Sequence, residues 1–269
     1  MQVKIGAFGK VENFYDMENA GYNFAELDSV KFAGLSDMDF KKFKSRWADS
    51  DLTTDVFARA LPYDQPILET NDFNWFEFQE FMKKSCFRMG QLEAKMLILG
   101  NGKARFISGT DHLAAEERFC KLLAVLCEIT AENGITVLLE PLGPKYSNFI
   151  NTIEEAVNVC RLLKKENLFT MCDLRHMVGS GDSFDNIVKY GEFIKHVHID
   201  NPLSYPQRYY PKKTDGYDYV PYFQALEKAG YSGTLTIEAE IPKNFTEEFR
   251  QIKDFFSGYN VFQQSSGVD

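Results

Sequence analysis

Three things are scarce in this 269-residue chain, and each scarcity excludes a class of protein. Cysteine is limited to Cys86, Cys120, Cys127, Cys160 and Cys172, odd in number, scattered and without a Cys-x-x-Cys pair. That distribution excludes a disulfide framework or a thiolate zinc site and predicts reduced thiols in a cytoplasmic protein. No stretch approaches 18 consecutive apolar residues, and Met1-Gln2-Val3-Lys4-Ile5 runs straight into a strand-like pattern with no basic n-region or apolar h-region. Neither membrane insertion nor export is expected. Positive charge is in deficit, 30 Lys+Arg against 39 Asp+Glu, for a net charge of -9. The overall field repels phosphate backbones and anionic membranes, so neither is an expected partner.

What is present is ordinary core-forming material, 44% hydrophobic and 26% charged, which excludes disorder. Short aliphatic or β-branched runs alternate with helical patterns from end to end, the order that builds a parallel sheet with helices outside. Eight strands are expected: Val3 to Ala7, Phe24 to Leu27, Val56 to Leu61, Met96 to Leu99, Ile135 to Leu139, Phe169 to Cys172, Lys195 to Ile199 and Thr234 to Ile237. The clearest helix is Ala114 to Asn133, where Phe119, Leu122, Leu123, Leu126 and Ile129 recur at helical spacing before Gly134. Asn151-Thr152-Ile153-Glu154-Glu155 reads as a cap with acids in the first turn, leading to Lys164 and Lys165 in the last turn; Tyr219 to Ala229 is a third helix.

No linker or charge block divides residues 1–269, so the expectation is an α/β protein with a single (β/α)8 TIM barrel, a fold of roughly 250 residues. An open doubly wound sheet for nucleotides would carry a Gly-rich first turn, and Ala7-Phe8-Gly9-Lys10 does not. Leu99-Gly100-Asn101-Gly102-Lys103-Ala104-Arg105 lacks the phosphate-loop spacing and reads as a loop, with Arg105 a candidate rim contact.

Ligands of such barrels sit at the C-terminal ends of the strands, where polar residues closing apolar runs carry the chemistry. Glu140, Asp173, His198 and Glu238 do so on the last four strands, 33, 25 and 40 residues apart. Singly, each acid reads equally well as a solvated strand end. Together they form a mixed oxygen and nitrogen set suited to one divalent ion, Mn2+, Mg2+, Co2+ or Zn2+, without which three converging carboxylates would raise one another's pKa. Residues two apart share a strand face, so Leu138, Met171, His196 and Thr236 point the same way one layer deeper. His196 is therefore expected as a hydrogen-bonded core residue, Cys172 as packing against the helices, His176 as a substrate contact and Glu26 as a fifth rim residue that also binds substrate.

The strings Gly21-Tyr22-Asn23-Phe24-Ala25-Glu26, Leu139-Glu140-Pro141-Leu142, Cys172-Asp173-Leu174-Arg175-His176-Met177, His196-Val197-His198-Ile199-Asp200 and Gly230-Tyr231-Ser232-Gly233-Thr234-Leu235-Thr236-Ile237-Glu238 resemble the xylose-isomerase-like TIM barrel superfamily. That superfamily includes ketose 3-epimerases, hydroxypyruvate isomerase and family 2 AP endonucleases. The resemblance implies a metal held by Glu140, Asp173, His198 and Glu238, the two glutamates as acid and base, His176 near the substrate oxygens, and a homo-oligomer. Its ketose branch has a glutamate where this chain has Tyr146 and an asparagine where it has Gly143; Tyr146 is then a candidate hydrogen-bond partner of a substrate hydroxyl. Arg208, in the loop Pro202 to Tyr217, is a candidate fork for a carboxylate or phosphate.

The implied activity is isomerisation or epimerisation of a sugar, sugar phosphate or small hydroxy-carbonyl compound through an enediolate. A dehydratase would share that step. An AP-endonuclease-like hydrolase needs a richer ligand set than four histidines and third and fourth strands ending in Leu61-Pro62 and Gly100-Asn101 supply. A sugar-binding barrel without turnover is the remaining alternative.

Overall fold

A computed structural model describes residues 3–68 and 73–259. Its eight strands are β1 (Lys4–Gly9), β2 (Phe24–Asp28), β3 (Thr53–Ala58), β4 (Met96–Leu99), β5 (Thr136–Leu139), β6 (Leu168–Asp173), β7 (Ile194–Ile199) and β8 (Thr234–Ile237). They pair in parallel and in order, and β8 closes on β1 with Lys4 opposite Thr234 and Ala7 opposite Ile237. The expected single (β/α)8 barrel is what the chain forms. Between the strands run α1 (Phe14–Ala20), α2 (Ser29–Ala33), α3 (Asp37–Trp47), α4 (Trp75–Gly90), α5 (His112–Ala131), α6 (Ile153–Leu163), α7 (Leu174–Ser180), α8 (Asp185–Lys189), α9 (Val220–Lys228) and, after β8, α10 (Phe245–Ser257). Among the described residues no helix is long and apolar enough to cross a membrane.

Strand alternation sorts the core into two layers. Ala25, Leu27, Phe57, Leu97, Leu99, Val137, Leu139, Cys172, Val197, Leu235 and Ile237 face outward, buried beneath the helices. Cys172 lies there as parity required, its sulfur 3.4 Å from the Tyr222 hydroxyl. Phe24, Val56, Ala58, Ile98, Leu138 and Met171 face inward and form a separate cluster in the lumen. Gly6 belongs to this layer: a Cβ there would run into the Phe24 ring.

Element boundaries moved where local chemistry outweighed hydrophobicity. The third strand covers Thr53–Ala58 instead of running on to Leu61, because Arg59 turns into the left-handed region at φ 64. In α6 the cap is Thr152, whose hydroxyl accepts from Glu155 N at 3.2 Å while Glu155 accepts from Thr152 N at 3.3 Å. Such a reciprocal box satisfies two amide donors at once. Its helix ends one residue before Lys164, which turns left-handed at φ 49, so neither Lys164 nor Lys165 lies in the last turn.

Candidate functional site

Four consecutive strands deliver their end residues to one side of the rim. Glu140 follows β5, Asp173 ends β6, His198 is the penultimate residue of β7 and Glu238 follows β8. One donor atom from each lies within 4.8 Å of the others. His198 Nδ1 is 3.6 Å from Glu140 Oε1, 3.6 Å from Asp173 Oδ2 and 3.2 Å from Glu238 Oε2. The first three of these atoms are buried and have no hydrogen-bond partner. Buried polar atoms are nearly always paired. Carboxylate oxygens and an imidazole nitrogen left bare toward one point therefore have the chemistry of a divalent-cation donor set, and the residues fit such an ion.

The local electrostatics favour the charged forms of these groups. Burial raises the Asp173 carboxyl, but His176, His198 and Arg208 outweigh it and hold the group well below its usual range. Burial likewise opposes charge on His198, yet Glu26 and Glu238 hold this imidazole well above its usual value. The Arg208 guanidinium is mostly buried, which disfavours its charge, but Glu238, Asp173 and Asp200 keep it charged. Its Nη1 pairs with Glu238 Oε2 and lies 3.6 Å from Asp173 Oδ2.

Asp173 does two jobs with two oxygens. Oδ1 caps α7 by accepting from His176 N at 3.1 Å, leaving Oδ2 for the rim. The Asp-x-x-His spacing is thus a helix start, since an N-cap side chain reaches the amide three residues on. His176 is buried, with Nε2 3.7 Å from Glu140 Oε1 and 3.3 Å from Arg208 Nη2. Nε2 thus faces the Glu140 and Asp173 carboxylates and the guanidinium, and Nδ1 has no hydrogen-bond partner. The Tyr146 ring stands edge-on to His176 at 4.7 Å, with the Arg208 guanidinium 5.9 Å from its centroid. Both residues therefore reach the site from loops.

Two supports were not visible as site residues in the sequence, and a third, Arg105, takes a different place from the one expected. Arg175 donates to Asp200 Oδ2 at 2.6 Å, Asn201 O at 2.8 Å and Gln207 O at 3.0 Å, fastening the loop that carries Arg208. Burial and neighbouring Asp173 push the Asp200 carboxyl up, to about 7, against the pull of Arg208 and Arg175. Gly100 is the second: a Cβ there would overlap Glu140 Oε2, so the bare backbone of the β4 end makes room for that carboxylate. Third, Arg105 is buried under the rim instead of lying along it and donates to the Glu140 carbonyl at 2.6 Å. Burial pulls its guanidinium down to about 10, with Glu140 working in the opposite direction.

Glu26 lies elsewhere than expected. It sits within β2, fully buried below the rim, and its Oε2 is 3.0 Å from Nε2 of His196 and 3.0 Å from Nε2 of His198. It touches the two histidines and is not placed as a substrate contact. His196 Nδ1 meets the Thr234 hydroxyl at 2.6 Å, the core role expected of it. At the ends of β3 and β4, Asn101 spends its side-chain amide on Leu61 N at 3.0 Å and Leu61 O at 2.8 Å.

A parallel barrel with a buried carboxylate and imidazole cluster at the C-terminal rim defines a class, and comparison with known proteins places the chain in it. Residues 14–256 match the family model described as xylose isomerase-like TIM barrel, and the chain belongs to that family. A fructoselysine 3-epimerase of Escherichia coli O157:H7 is 26% identical over 200 residues, 68% of this chain and 71% of that protein. Among solved structures, a D-allulose 3-epimerase of Methylomonas sp. superposes with a TM-score of 0.79 at 16% identity, covering 96% of this chain and 97% of the other. The IolI protein with a bound zinc atom gives a TM-score of 0.77 at 17% identity, covering 96% and 100%.

Proposed function

We propose that this chain is a divalent-metal-dependent isomerase or epimerase of a sugar or small hydroxy-carbonyl compound, working by proton removal beside a carbonyl. One observation carries the reading: Glu140 Oε1, Asp173 Oδ2 and His198 Nδ1 are buried, lack hydrogen-bond partners and are turned toward one another at the barrel rim. The similarity to a fructoselysine 3-epimerase and the zinc of the IolI protein support it from outside.

Glu140, Asp173, His198 and Glu238 would hold one Mn2+, Mg2+, Co2+ or Zn2+. Such an ion supplies electrophilic stabilisation of the negative charge that develops on a carbonyl oxygen and its neighbouring hydroxyl. The remaining work falls to side chains. Glu140 and Glu238 stand on the first and last of the four contributing strands and so approach a substrate from different sides. One carboxylate removes the α-proton to give the enediolate, and the other returns a proton to the opposite face or the adjacent carbon. Glu140 has an oxygen to spare, because Oε2 lies beside Gly100 while Oε1 faces the other ligands. His176, whose Nε2 faces Glu140 and Asp173, contacts a substrate oxygen, and Arg208 pairs with substrate charge or hydroxyls beside Tyr146.

The test is elemental analysis of the purified chain together with deuterium incorporation into a panel of ketoses and hydroxy-carbonyl acids in D2O. About one divalent ion per chain and solvent exchange at the carbon beside a carbonyl are expected. Absence of metal after incubation with excess, together with no exchange on any member of the panel, overturns the reading.

A further inference from the structure

β2 and β7 are not neighbours in the barrel, because β8 and β1 lie between them on the shorter way round. Glu26 nevertheless reaches the histidines of β7 through the lumen, in contacts that span 170 and 172 residues of sequence. All three side chains are buried.

The proton positions follow from the partners. An ionised carboxylate only accepts, so each histidine turns an Nε2–H toward Glu26 Oε2. His196 is locked at its other end by the Thr234 hydroxyl, which donates to Nδ1 at 2.6 Å. His198 has no such second anchor. Its Nδ1 faces Glu140, Asp173 and Glu238, and nothing else on the imidazole fixes which nitrogen looks toward the rim. Rotation of the ring by half a turn would turn Cδ2 toward the rim and Cε1 toward Glu26, leaving the buried carboxylate with His196 alone as its donor, a costly state.

We propose that Glu26 is the positioning residue of the rim: by accepting Nε2–H of His198 from across the barrel it keeps Nδ1 turned toward the three carboxylates and thereby sets how tightly the chain holds a divalent cation. The inference rests on the metal-site reading above. A partner that orients a ligating histidine is worth about 10–100-fold in metal affinity. His196 shares the same oxygen and, being tied to Thr234 on the adjacent strand, holds Glu26 in register with β7 and β8.

The experiment compares the wild-type chain with Glu26→Gln, which keeps an acceptor and loses the charge, and Glu26→Leu, which loses both. Each chelator-stripped protein is titrated with Mn2+ against a competing indicator, and imidazole N–H resonances are recorded on the 15N-labelled stripped protein, which has only four histidines. The wild type is expected to bind one ion per chain and to show two downfield Nε2–H resonances. Affinity should fall about 10–100-fold in Glu26→Leu and less in Glu26→Gln, with both resonances lost in the first and moved in the second. Should Glu26→Leu not fold, Glu26→Gln carries the test. Equal affinities across folded variants overturn the proposal, as does a second ion taken up by Glu26, His196 and His198. A wild-type chain that binds no cation removes the metal reading itself. In that event unchanged N–H resonances in the Glu26 variants also overturn the positioning role, and their loss upholds the hydrogen-bond arrangement on which it stands.

Discussion

The lumen of this barrel has two unlike sectors. Toward β3 to β6 it is hydrocarbon: Val56, Ala58, Ile98, Leu138 and Met171 interlock with Phe24 of β2. Toward β7 and β8 it is polar, with His196, His198, Thr234 and Thr236 all buried and Glu26 reaching in from β2. The first sector is held by packing that tolerates a change of shape at a graded cost; the second by directional bonds in which each member depends on the next. The difference teaches that stability and chemistry are allotted to different strands of one closed sheet. Asp173 and Glu140 are the hinge of the division, since each stands above an apolar lumen residue, Met171 and Leu138, while facing the polar sector.

If the division holds, substitutions in the two sectors should fail in different ways. The largest effect is expected for Glu140→Gln, with bound metal falling from about one per chain to none by elemental analysis and solvent proton exchange reduced about 10²–10⁴-fold. Its chelator-treated thermal midpoint should hold or rise, because one of three converging carboxylates is gone; a lower midpoint would show that the carboxylates also support the fold. In the apolar sector, Ile98→Ala should cost about 2–5 kcal/mol by denaturant unfolding, with metal content unchanged. Gly100→Ala sharpens the boundary between the two sectors. Its methyl must displace the Glu140 carboxylate, so exchange should slow about 10²-fold in a chain whose unfolding midpoint barely moves.

The smallest effect concerns the outer layer. Burial pushes Cys86, Cys127 and Cys160 up to about 12 from 9.0. Because the folded values exceed the unfolded one, their contribution to stability is complete below about pH 9 and is lost as pH climbs toward 12. At pH 8 only half-buried Cys120 should react readily with a thiol reagent; rapid titration of all five native thiols would refute the assignment.

The outward layer and the strand ends were legible because a period of two leaves a direct trace: Leu138 before Glu140 and Met171 before Asp173 state their own direction. Likewise, helix α5 announced itself through Phe119, Leu122, Leu123 and Leu126. What stayed hidden was whatever depends on a partner far along the chain. Nothing near Glu26 signals that its partners lie on β7, and nothing near Gly100 signals that its missing side chain matters to a glutamate forty residues later. Arg175 is invisible for the same reason, as three of its acceptors are oxygens in the loop after β7. The cap role of Asp173, by contrast, was within reach of local rules, since an aspartate before a short helix is a known start signal.

That cap also fixes a length. Because one oxygen of Asp173 is committed to the backbone of α7, its side chain must be short enough to fold back on its own helix while the other oxygen still faces His198. Glutamate carries the same charge but is a poor N-cap, and an added methylene would carry its carboxyl past both positions. Among the three acids of the rim, 173 is thus the position where chemical equivalence does not mean interchangeability, and a glutamate placed there would have to give up one of the two roles.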